Sequence, residues 1–118
     1  MLQRLALIIV ISIIILAPIS EAQEAQVIKI GVMACLTGEC AETGKNTVDG
    51  AALHVERINQ RGGIKGRLLQ LVVQDSRDSV SGIGAVTAYQ ALRRDPKIEL
   101  FIGPTWTPGG MAIAPIAA

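Results

Sequence analysis

Hydroxyls and glycines gathered on two short stretches are the first chemistry this sequence offers. Residues 34–44 contain Thr37, Gly38, Thr43 and Gly44, and residues 103–110 contain Thr105, Trp106, Thr107, Gly109 and Gly110. A threonine hydroxyl both donates and accepts hydrogen bonds, and a glycine leaves its backbone N–H open to close approach. Where such loops lead into helices, the helix N-terminus favours a carboxylate or another anion. The same residues also serve as ordinary turn and capping groups, so each threonine has a structural reading beside the functional one.

Other chemistries fit less well. Residues 38–46 look like a phosphate loop, but five residues separate Gly38 from Gly44, where the pattern needs four. Asn46 also stands in place of the hydroxyl that would hold magnesium. Gly82 and Gly84 lack the third glycine of a dinucleotide fingerprint and follow the second strand instead of the first, which makes them helix-packing residues. Asp75 and Asp78 close the second strand and read as turn and capping groups more readily than as an acid–base pair. His54 is the only histidine; it falls at the margin of an apolar stripe, with no nucleophile linked to it. No metal site follows, because a single histidine and one cysteine pair do not complete a tetrahedral set. No cofactor and no catalysis are expected. Cys35 and Cys40 fit either a small disulfide-closed loop, if Gly38 permits the turn, or two buried thiols; the Cα separation decides between them.

The elements that must position these loops follow from periodicity. Residues 27–33 are mostly apolar and rich in β-branched side chains, as in a buried strand. Val48, Ala51, Ala52, Val55 and Ile58 recur at helical spacing and predict a helix over 42–60. Gly62 and Gly63 end that helix, and Gly66 turns the chain into a second strand over 68–75. A second helix over 80–94 carries Ala85, Ala88, Tyr89 and Leu92 on one face and stops at Asp95-Pro96. A third strand over 98–103 leads into a loop over 104–110 and then a third helix. Alternating strands and helices predict an α/β fold with a doubly wound parallel sheet. With strand order 2-1-3, the ligand crevice lies where the order reverses, between the carboxyl ends of the first and third strands. That places it at the two threonine-bearing loops.

The totals set the compartment. The chain has 118 residues and a net charge of +1. Arg4 precedes thirteen almost wholly apolar residues over 5–17, and small residues at Ser20 and Ala22 predict a signal peptide over 1–22 cleaved after Ala22. A membrane span needs roughly 20 apolar residues, more than this run holds. Much of the positive mean hydropathy, +0.44, comes from that segment. One Trp, one Tyr and one Phe with near-neutral charge give no face of the kind that binds nucleic acid. An exported chain also suits the two cysteines.

Several runs together resemble a known family. They are residues 28–32, Leu36-Thr37-Gly38, Gly44, Gly50-Ala51, Ile58-Asn59, residues 62–67, Leu69, Asp75, Ile102-Gly103-Pro104 and Ala114-Pro115-Ile116. This pattern resembles the N-terminal part of the bacterial periplasmic binding proteins for branched-chain amino acids, the type I solute receptors of ABC importers, over residues 27–118. The resemblance implies that residues 23–118 begin the first lobe of a two-lobed, non-enzymatic receptor that closes over a small ligand and delivers it to a membrane permease. It implies a periplasmic or otherwise secreted protein, monomeric at full length. By position, Thr107 matches a Ser or Thr that contacts the amino acid, with Trp106 beside it; Thr105 and Thr37 lie on the same loops. Thr43 stands where branched-chain binders have an aromatic residue, so leucine-like specificity does not carry over. An amino acid, an amide or a related carboxylate is the expected ligand. A sensory ectodomain of the same fold is the alternative.

Overall fold

The computed structural model describes residues 27–77 and 81–117. The predicted signal peptide, Asp78 and the predicted start of the second helix at Val80 lie outside the described residues. Strand β1 (Val27–Ala34) is central, flanked by parallel strands β2 (Leu68–Asp75) and β3 (Ile98–Ile102) in the order β2-β1-β3. This is the expected order. The central strand has no solvent face, which explains why its apolar residues run almost without interruption.

Helix α1 (Ala41–Gln60) crosses from β1 to β2, and α2 (Ile83–Arg93) crosses from β2 to β3. Two apolar clusters mark the two faces of the sheet. Ile28, Ile30 and Leu69 pack with Val55 and Ile58 of α1. Met33 packs with Ala85, Ala88, Tyr89 and Leu92 of α2 and with Ile113 of α3 (Thr107–Ile113). All four residues expected on the buried face of α2 are buried. The stripe of α1 is only partly covered: Val55 and Ile58 meet the sheet, whereas Ala52 is exposed. Helix α1 packs on β1 and β2.

The end of α1 is built by the paired glycines. Gly63 donates its N–H to Ile58 at 3.0 Å and Gly62 to Asn59 at 3.0 Å, with Gly62 at φ 91°. This is a Schellman closure, which needs the left-handed residue that glycine supplies without a Cβ penalty. Lys65 and Gly66 follow with φ of 52° and 79°, between Ile64 and Arg67, which exchange backbone hydrogen bonds of 2.8 and 3.0 Å. Two consecutive positive φ values are the mark of a tight two-residue turn matched to strand twist. Beyond the turn, the Asn59 amide donates to the Leu69 carbonyl and accepts from the Leu69 N–H, both at 2.8 Å. One side chain thus occupies both hydrogen-bonding groups of an edge-strand residue.

The third helix corrects an expectation. It begins at Thr107, inside the stretch read as loop, with Pro108 in its first turn. Proline is at home there because its missing N–H would have no intrahelical partner. Gly82 is the N-cap of α2, and a Cβ on it would stand 2.8 Å from both Ala112 Cβ and the Pro108 carbonyl. Its role is close helix packing, as expected. Among the described residues no helix is long and apolar enough to cross a membrane.

Candidate ligand-binding site

Because β1 and β3 are parallel neighbours, the loops that leave their carboxyl ends share one edge of the sheet. The first runs from Cys35 to Cys40, where α1 begins; the second runs from Gly103 to Trp106, where α3 begins. Gly103, at φ 99°, packs directly against the Met33 carbonyl of β1, so the two strand ends touch. The two strand ends between which the crevice is expected are therefore adjacent.

Each predicted site residue can be located. Thr37 is exposed at the tip of the first loop. Thr43 lies in the first turn of α1, exposed, with its carbonyl accepting from the Thr47 hydroxyl at 3.0 Å. Thr105 is half-buried, and its Oγ1 is shielded from solvent with no hydrogen-bond partner among the described residues. Trp106 caps α3 in an extended conformation and is 44% exposed. Thr107 is the exposed first residue of α3. All five lie on the carboxyl edge of the sheet, in two groups set by β1 and by β3. His54 is on the exposed side of α1, its Nδ1 2.9 Å from the Gly50 carbonyl. Among the described residues no group of three His, Cys, Asp or Glu side chains is placed to hold a metal.

Cys35 and Cys40 are joined by a disulfide, with Cα atoms 5.7 Å apart. Both are buried, while residues 36–39 between them are exposed. The ring therefore has a buried base and a loop held out at the crevice. Replacing both cysteines by alanine should lower unfolding stability by about 2 kcal/mol from loop-closure entropy in so small a ring, measurable by urea denaturation.

A second constraint on this loop comes from Asp75, which sequence reasoning set aside as a turn residue beside the crevice. Its carboxylate does accept from the Arg77 N–H at 2.9 Å, as a turn residue would. It also reaches the neighbouring loop, accepting from the Leu36 N–H at 2.9 Å and the Thr37 hydroxyl at 2.9 Å. Pairing of Ala34 with Asp75 across β1 and β2 brings the groups together. Burial alone would raise its carboxyl pKa; the bonds from Leu36, Arg77 and Thr37, with the Arg77 charge, outweigh that and hold it below its ordinary value. A carboxylate depressed in the folded state stabilises above its unfolded pKa, and that contribution is lost as pH falls through the folded pKa. The melting temperatures of the native protein and Asp75→Asn should therefore differ at pH 6 and draw together as the pH falls through the acid range.

Residues 27–118 match the periplasmic binding protein family, and the chain belongs to it. Within that family the fold is the type I, leucine-binding-like one. A fatty acid ABC transporter substrate-binding protein from Thermomonospora curvata is 31% identical, with a TM-score of 0.64 over 77% of this chain and 22% of its own. The branched-chain amino acid transporter substrate-binding protein LivJ from Streptococcus pneumoniae, solved with isoleucine, is 28% identical, with a TM-score of 0.68 over 77% of this chain and 26% of its own. An ABC transporter substrate-binding protein from Sphaerobacter thermophilus is 26% identical, with a TM-score of 0.64 over 76% of this chain and 23% of its own. The chain thus spans about a quarter of the length of these structures. No curated protein sequence matches it.

Proposed function

We propose that this chain is the opening segment of an exported substrate-binding protein that captures a small amino acid, amide or related carboxylate and hands it to the membrane permease of an ABC importer. The observation that carries this reading is that the Cys35–Cys40 loop and residues 103–107 leave the adjacent carboxyl ends of β1 and β3, where Gly103 meets Met33, in a chain of the periplasmic binding protein family. Both loops offer hydroxyls and backbone N–H groups. Thr37, Thr43, Thr105, Trp106 and Thr107 are the proposed ligand-facing residues of this lobe. Export after cleavage near Ala22 suits the disulfide at Cys35 and Cys40.

A ligand that binds only the native state raises its stability by RT ln(1 + [L]/Kd). The full-length protein should therefore melt at a higher temperature in the presence of at least one member of a panel of amino acids, amides and small carboxylates. Silence across that panel would sink the proposal.

A further inference from the structure

The hydrogen bond between Thr37 and Asp75 has a chemical direction. Asp75 is an ionised carboxylate with acceptors only, so the Thr37 hydroxyl is the donor in their 2.9 Å contact. The other Asp75 oxygen is taken by the Leu36 and Arg77 N–H groups, both at 2.9 Å, and the Arg77 guanidinium stands 3.9 Å away. The acid is therefore satisfied from its own side of the crevice, and its side chain is only 21% exposed. Thr37 has a single hydroxyl hydrogen, and that hydrogen is committed. What remains on its exposed oxygen is lone-pair capacity. The Cys35–Cys40 disulfide closes the base of the same loop, so this polarity is held in place before a ligand arrives.

We infer that Thr37, oriented by Asp75, is an acceptor-only contact that reads an N–H donor on the ligand, an ammonium or amide group, and rejects a carboxylate at that point. The inference rests on the proposed capture of small amino acids or amides and narrows it to ligands that bring a hydrogen-bond donor to this loop. Asp75 is the positioning residue and Thr37 the contact.

The test uses the full-length protein and isothermal titration with matched pairs: L-isoleucine and 3-methylpentanoate, L-phenylalanine and 3-phenylpropanoate, L-glutamate and glutarate. Each pair differs by the amino group alone. For whichever pair binds, the native protein should prefer the amino acid by about tenfold or more, the effect of a hydrogen bond to a charged group. Thr37→Val should remove most of that preference by weakening the amino acid while leaving its partner's affinity in place. Thr37→Ser, which keeps the hydroxyl, should retain it. In Asp75→Asn an amide N–H can face the Thr37 oxygen and free its hydrogen to point outward, so the preference should shrink or reverse. Equal weakening of both members of a pair by Thr37→Val overturns the inference and leaves the proposed function standing, as does a native preference for the deaminated acid. Silence of this set together with the whole panel of amino acids, amides and small carboxylates overturns both.

Discussion

Gly44→Ala should destabilise the full-length protein by about 3 kcal/mol, the upper part of the overpacking range, although alanine is the better helix former. Gly44 lies in the first turn of α1 and is the one buried residue of that helix. A Cβ placed on it would overlap the backbone carbonyl of Cys35. The obstacle is main chain, tethered by the disulfide to Cys40, so no side-chain rotation relieves it. Intrinsic propensity favours alanine over glycine by roughly 1 kcal/mol in a helix interior, and here the clash wins. Gly50 supplies the control. It lies in the same helix with nothing within 4 Å of an added Cβ, so Gly50→Ala should stabilise by roughly 0.5–1 kcal/mol. Urea denaturation of the two variants should give shifts of opposite sign; two shifts of the same sign would contradict the steric account.

The second large effect is expected at Asn59. Its amide bonds both polar groups of Leu69 at 2.8 Å, and Leu69 itself is 7% exposed. Asn59→Ala would leave a donor and an acceptor on the β2 edge without that partner. Each unsatisfied buried group costs about 1–3 kcal/mol, so a loss of about 2–4 kcal/mol is expected from the pair. Asn59→Asp separates the two bonds, because a carboxylate can still accept from the Leu69 N–H but sets an oxygen against its carbonyl. It should be destabilised near neutral pH and recover part of the loss in acid, when protonation restores a donor. A flat pH dependence relative to the native protein would show that the edge bond is not what Asn59 contributes.

Much of the fold was legible because local signals agreed. Strand β2 has the predicted bounds since Gly66 turns the chain immediately before it and polar residues close it after Asp75. The face of α2 was readable from spacing because a second helix and the sheet cover it. The α1 stripe misled at Ala52, since helical spacing reports which residues share a face but not how much surface lies opposite. The start of α3 was available in Pro108, yet two following glycines gave the stretch the look of a turn. At the candidate site, the loops could be placed by strand order alone. The link from Asp75 to Leu36 and Thr37 could not, because it joins residues 39 and 38 positions apart and depends on the register of β1 against β2. Nothing local to Asp75 distinguishes that role from a turn residue.

The position of β1 has a consequence for how the polypeptide acquires its structure. The strand that emerges first is the one that needs two partners, yet its first partner begins at Leu68 and its second at Ile98. Until then, its apolar faces and both rows of backbone groups await chain that lies further along the sequence. Such non-local parallel pairing is slow because loop closure precedes the contacts that reward it. Helix α1 and its glycine closure can form from local contacts in that interval. They turn the chain back at the right distance, so that Asn59 meets Leu69 as β2 arrives. The order of synthesis thus sets a waiting period for the centre of the sheet, and the glycine-closed helix organises the chain through it.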